Sequence, residues 1–279
     1  MSAIRLVATD LDGTLLRSDK TISARTSAAM RAVEKAGITV VWATARARQS
    51  VQVFAEQAHF TGMALCANGA VVLDLSDGGR VVRSYPVPVH VTQVSVRRIR
   101  EAIPDVYFAL VGADRFVAER QYAALSRYDE HHRSIYDEHH RSIDEMELSD
   151  ALGEIEDEFV KIVVRHPDIS PVDLFDKLRA MDLADLELTH SLAPFVEMSA
   201  AGISKAFALA ALAEEMGISS DQVAAIGDAL NDVAMLEWAG TAIVPANAIP
   251  EVRAISARVV PSNDEDGVAS YLESLLDLR

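Results

Sequence analysis

The sequence predicts an α/β protein, a Rossmann-like parallel sheet core with an inserted α+β domain. Three observations carry that reading. Short β-branched runs alternate with helix-period segments over about the first 80 residues, the alternation returns near the other end, and the stretch between is strand-rich without it.

Taken in order, Ile4 to Thr9 reads as a strand and Ser23 to Ala36 as a helix, with Ser23 as N-cap and Gly37 as its stop. Ile38 to Ala43 is the next strand, Arg46 to Ala58 the next helix, and Met63 to Cys66 a third strand. From Arg83 to Pro194 the pattern changes. Strands are expected at Val106 to Leu110, Arg115 to Ala118, Phe159 to Arg165 and Leu186 to His190, with helices near Val91 to Ile103 and Pro171 to Met181. The opening scheme then resumes with a helix from Ser204 to Met216, a strand at Val223 to Gly227, a helix from Ala229 to Ala239, and strands near Ala242 and Arg258. Residues 1–82 and 195–279 are therefore expected to form one core, with 83–194 inserted as a separate module. Within that module Tyr128 to Ile135 and Tyr136 to Ile143 repeat the octapeptide YDEHHRSI, which is expected to be a solvated loop.

Composition narrows the function. Acidic residues outnumber basic ones by 42 to 26, a formal charge of −16, which argues against binding nucleic acid or an acidic membrane surface. Cys66 is the single cysteine, so no disulfide forms within the chain; with no basic-then-apolar leader, the expected location is cytoplasmic. The state of assembly stays open between monomer and homodimer.

Chemistry concentrates at strand ends. Asp10-Leu11-Asp12-Gly13-Thr14-Leu15 follows the first strand, and loops at the carboxyl ends of parallel strands form the ligand crevice of such sheets. Gly227-Asp228-Ala229-Leu230-Asn231-Asp232 follows a later one, where Asp228 could equally be a helix N-cap. Carboxylates from two strand ends facing one crevice suit magnesium, which takes few protein ligands. Thr44 offers a hydroxyl, the loop leading into the Arg46 helix offers backbone amides, and Lys205 brings a cation that would otherwise be a solvated surface lysine. His90, His166 and His190 are single histidines, read as structural.

In this order the motifs resemble the haloacid dehalogenase-like superfamily, and within it the Cof-like branch of sugar-phosphate phosphatases. The matching residues are Asp10 to Thr14, Thr44, Asn68-Gly69, Lys205 and Gly227 to Asp232, and the tail Ser262 to Val268 is similar to that branch's ending. The resemblance implies a magnesium-dependent phosphatase acting on a small phosphorylated metabolite, a sugar phosphate being the leading expectation. It implies Asp10 as nucleophile and metal ligand, Asp12 as general acid and base whose backbone carbonyl also binds the metal, and Asp228 as a further ligand, with Asp232 orienting the set. Thr44, Ala45, Arg46, Lys205 and Asn231 would hold the phosphoryl group, and the insert would act as a cap. Two rival readings are a sugar phosphomutase of the same superfamily and a non-catalytic phosphometabolite-binding protein. Where that branch has glycine this chain has Ala45, Ala206 and Ala246, so these turns are expected to be reshaped.

Overall fold

The computed structural model describes residues 3–128, 147–150, 152, 155–189 and 193–277. The tandem octapeptide beyond Tyr128, and with it the expectation of a solvated loop, lies outside the described residues, as does His190. The chain divides into two compact units, one of residues 1–46, 51–82 and 204–279, the other of residues 47–50 and 83–203.

In chain order the elements of the first unit begin with β1 (Leu6–Thr9), α1 (Ala24–Lys35), β2 (Thr39–Ala43), α2 (Arg48–Ala58), β3 (Met63–Cys66), β4 (Val71–Asp74) and β5 (Arg80–Ser84). The other unit contributes α3 (Val89–Ala102), β6 (Tyr107–Val111), β7 (Phe116–Ala118), α4 (Arg120–Tyr128), β8 (Glu147–Leu148), β9 (Lys161–Arg165), α5 (Pro171–Arg179), β10 (Leu186–Thr189) and β11 (Val196–Ala200). The first unit then resumes with α6 (Lys205–Glu215), β12 (Val223–Ile226), α7 (Val233–Trp238), β13 (Thr241–Pro245), α8 (Pro250–Arg253), β14 (Arg258–Val260) and α9 (Gly267–Leu276).

The first unit is built on an eight-stranded sheet of order β14-β13-β12-β1-β2-β3-β4-β5. Its strands from β14 to β3 run parallel, and β4 turns back antiparallel on β3. All four residues of β1 and of β12 are buried, as expected of central parallel strands covered on both faces. Ser23 caps α1 by accepting the Thr26 N–H at 3.0 Å, and Ser204 caps α6 by accepting the Phe207 N–H at 3.2 Å.

Two local expectations are corrected by side-chain chemistry. The helix expected from Ala229 begins at Val233, after a 3-10 turn at Leu230–Asp232. The Asp232 carboxylate accepts the N–H groups of Asp228 and Ala229, drawing that backbone into the turn. The boundary expected at 194/195 lies further on, because Val196–Ala200 is a strand of the second sheet and that unit continues to 203. Glu197 interrupts the apolar run and hid this strand. It is nevertheless buried, paired with Lys161 of β9 across the sheet.

The second unit has a sheet of order β10-β11-β9-β6-β7-β8, antiparallel except for the β7–β8 pair. Alternate residues Phe108, Leu110, Ile162, Val164, Val196 and Met198 join Val96 and Ile99 of α3 and Leu174 and Leu178 of α5 in one apolar core. His166 is structural, as expected. Its Nδ1 accepts the N–H groups of Asp168 and Ile169, which leaves Nε2 to donate to the Pro104 carbonyl at 3.0 Å. Phe108 is fully buried in that core, so Phe108→Ala is expected to cost about 3–5 kcal/mol, read as a lowered urea midpoint. A loss under about 1 kcal/mol would show that the site collapses to fill the cavity.

Candidate active site

The site gathers where the parallel strands of the first unit end. Asp10 follows β1, and its N–H donates to the Ile226 carbonyl at 2.9 Å, carrying the β1–β12 ladder one residue further. That register sets Asp10 beside the loop bearing Asp228 and Asp232. Lys205, one residue after the α6 cap, is 1% exposed and donates to Asp10 Oδ1 at 2.6 Å and to Asp232 Oδ1 at 2.7 Å. Lys205 is thus buried against two carboxylates and not solvated. Thr14 Oγ1 donates to Asp228 Oδ1 at 2.8 Å, joining the first acidic motif to the last. Gly13 stands at φ +77°, and a Cβ there would fall 2.4 Å from Asp228 Oδ2, so glycine is required both by the turn and by the close approach.

One carboxylate oxygen from each of Asp10, Asp228 and Asp232 lies within 4.8 Å of the other two. Asp232 spends both of its oxygens inside the protein, Oδ1 on Lys205 and Oδ2 on the N–H groups of Asp228 and Ala229. Asp10 and Asp228 each keep one oxygen that accepts no hydrogen bond among the described residues. Three buried carboxylates share one buried lysine, and the electrostatics record the shortfall. Burial pushes the Asp10 carboxyl well above its usual range, with the charges of Asp232 and Asp228 adding to the rise and Lys205 opposing it. Burial, together with Asp232, raises Asp228 to about 7, against the pull of Thr14 and Lys205. Burial would lower Lys205, yet Asp10 and Asp232 outweigh it and hold the ammonium charged. A hard divalent cation would supply the missing positive charge, and carboxylate oxygens are the donors it prefers. The residues present fit such an ion.

Asp12 lies apart from this cluster. Its carboxylate is clasped by Arg46, with Nε at 2.5 Å and Nη2 at 2.7 Å, and by Lys20 Nζ at 2.8 Å. Burial pushes its carboxyl up, but the two cations prevail and hold it well below the usual range. Arg46 also lies over the Phe54 ring, 4.8 Å from the centroid. Thr44 Oγ1 accepts the Arg46 N–H at 3.1 Å, and Asn231 donates to Asn68 Oδ1 at 3.2 Å. Ala45, Ala206 and Ala246 are not among the positive-φ residues, so alanine needs no strained backbone at any of them and the expected reshaping has no such cause. The sequence reading missed Lys20 as a partner of Asp12, and no spacing in the chain signals it.

The sequence matches the profile of the haloacid dehalogenase-like hydrolase family over residues 7–272. It is 28% identical to the 5-amino-6-(5-phospho-D-ribitylamino)uracil phosphatase YitU of Bacillus subtilis (strain 168), covering 98% of each chain. It is 26% identical to the pyridoxal phosphate phosphatase YbhA of Escherichia coli (strain K12), again over 98% of each. The fold is similar to that of a solved protein from Streptococcus mutans UA159, with a TM-score of 0.84 at 21% identity, covering 99% of this chain and 100% of that one.

The pH dependence of the metal-free protein follows from the signs above. Asp228 titrates at about 7 when folded and near 3.8 otherwise, so the folded state binds the extra proton between those values and unfolding releases it. Metal-free melting temperature is expected to fall as pH rises from about 4 to 7 from this group, with added divalent cation recovering more at pH 8 than at pH 5. Equal recovery at both pH values in thermal-shift measurements would show that the cation does not engage this carboxylate.

Proposed function

The chain belongs to the haloacid dehalogenase-like hydrolases and is a phosphoric monoester hydrolase, and we propose that it hydrolyses a small phosphorylated metabolite, a sugar phosphate first among them, through an aspartyl-phosphate on Asp10 with magnesium bound. One observation carries the reading. A buried carboxylate at the end of the central strand is held on one oxygen by a buried ammonium while its other oxygen stays free, beside a second carboxylate short of positive charge. Such a group is fixed in direction and kept from rotating, as an in-line attack on phosphorus requires.

Asp10 is the nucleophile, and the Lys205 ammonium steadies its charge and that of the phosphoryl oxygens. Magnesium would be held by Asp10, Asp228 and the Asp12 backbone carbonyl, and supplies charge neutralisation between the attacking carboxylate and the anionic phosphoryl group. Asp232, fully buried and with both oxygens used, keeps Lys205 and the Asp228 loop in register. Asp12 gives a proton to the leaving oxygen and then takes one from the water that cleaves the acyl phosphate. In the free enzyme Arg46 and Lys20 keep Asp12 ionised; an anionic group that competes for Arg46 loosens that grip and lets Asp12 accept its proton. Thr44, the Ala45 amide and Asn231 take the remaining phosphoryl oxygens.

The substrates named for the B. subtilis and E. coli relatives share a phosphate monoester on a small metabolite, which supports that class here. Every group given a role lies in the first unit, so discrimination among leaving groups is assigned to the second, acting as a cap. Asp10→Asn is expected to lower turnover by about 10³-fold or more while circular dichroism stays native, because removing a nucleophile removes the pathway. Release of phosphate from a metabolite panel should also stop with EDTA and return with magnesium. Turnover by Asp10→Asn near the wild-type rate would exclude it as the nucleophile, and metal-independent hydrolysis would exclude the cation.

A further inference from the structure

Among the motifs, the tail Ser262 to Val268 has no part in the chemistry just described. The structure shows what it grips. Asn247, in the loop after β13, donates from Nδ2 to the Gly13 carbonyl at 2.7 Å, and its Oδ1 accepts the Asn263 N–H at 3.0 Å. Asn263 in turn donates from Nδ2 to the Leu16 carbonyl at 2.9 Å. Arg17 forms a two-pronged pair with Asp266, and Asp264 accepts both the Ser18 N–H at 2.8 Å and the Ser18 hydroxyl at 2.7 Å. The loop leaving β1 is thus held at residues 13, 16, 17 and 18 by one short turn and one asparagine.

The turn that does the holding is itself over-determined. Ser262 and Glu265 form a reciprocal capping box, Asp266 sits at φ +59°, and a Cβ on Gly267 would fall 2.0 Å from the Pro261 carbonyl oxygen. Asn263 is buried, so its amide has little water to turn to. The loop it holds carries Asp12, Gly13 and Thr14, of which Thr14 bonds Asp228 and Gly13 packs against it.

We propose that Asn247 and Asn263 are positioning residues of the phosphatase site, fixing the Gly13–Ser18 loop so that the Asp12 carbonyl and the Asp228 carboxylate face the same cation. This rests on the reading that the acidic cluster binds magnesium for phosphate release. Neither asparagine need touch substrate. Each acts through a backbone carbonyl of the loop, and groups that orient metal ligands in this way are worth about 10–100-fold in metal affinity or activity.

The discriminating variant is Asn247→Asp, which keeps the acceptor for the Asn263 N–H and loses the donor to the Gly13 carbonyl, at an exposed position where folding is little affected. The expected result is a magnesium dissociation constant raised about tenfold by calorimetry, kcat lowered about tenfold, and KM within about threefold at saturating magnesium. Asp264→Ala, also exposed, removes both bonds to Ser18. It should weaken magnesium by at least about threefold, and it decides the matter if Asn247→Asp folds poorly. Magnesium affinity unchanged in a folded variant, or activity lost only in step with melting temperature, would overturn the proposal. Wild-type enzyme that binds no magnesium and releases no phosphate would instead overturn the functional reading, and this inference with it.

Discussion

The placement of one buried ammonium governs the first unit. Lys205 is almost wholly removed from water and bridges carboxylates on two different loops, Asp10 after β1 and Asp232 after β12. Burying an ion costs several kcal/mol before its partners return anything, so such a triad is held for its geometry more than for its stability. The helix that presents Lys205 is apolar along most of its length and capped by Ser204, which fixes where the first residue after the cap must lie. From that point the two acidic loops are aligned. The same arithmetic leaves Asp228 under-compensated, a carboxyl raised by burial and by Asp232 that a divalent cation would relieve.

A second constraint is backbone strain at the end of β3. Ala67, Asn68 and Gly69 follow one another at φ of +50°, +57° and +93°. Non-glycine residues in that region cost about 1–3 kcal/mol each and persist only where neighbours over-determine them. Here the Ala67 N–H donates to the Arg46 carbonyl and the Asn68 N–H to the Thr44 carbonyl, so the strained turn is tied to the loop after β2. Its product is the orientation of Asn68, whose side-chain oxygen receives Asn231 from the loop after β12. The loops after β2 and β3 are therefore joined through backbone bonds, and the loop after β12 joins them through the Asn231–Asn68 side-chain bond.

Much of this was legible in the sequence, for reasons that differ by element. Central parallel strands are continuous apolar runs, so β1, β2, β3 and β12 stand out, and Ser23 marks the start of α1 through capping chemistry. β11 was hidden because burial of Glu197 against Lys161 is a cross-strand event with no signature along the chain. The Asp10, Asp228 and Asp232 cluster could be named from motif order, whereas the partners of Asp12 could not. Lys20 reaches it from a turn at φ +62°, a conformation lysine seldom adopts and no local pattern announces. Ala67 was opaque for the same reason, since its backbone is set by Arg46 and not by its own preferences.

The bonds between the Leu16–Ser18 segment and the turn at Ser262–Gly267 join residues 246 to 249 positions apart. On the ribosome, Asp10 precedes Asn263 by 253 residues, among them the whole second unit. Synthesis at about 5–20 residues per second separates the two by ten seconds or more, during which the β1 loop lacks the groups that hold it. A nascent chain therefore carries the β1 loop long before it carries the turn that holds it, and fragments ending before Ser262 lack the bonds to Leu16, Arg17 and Ser18.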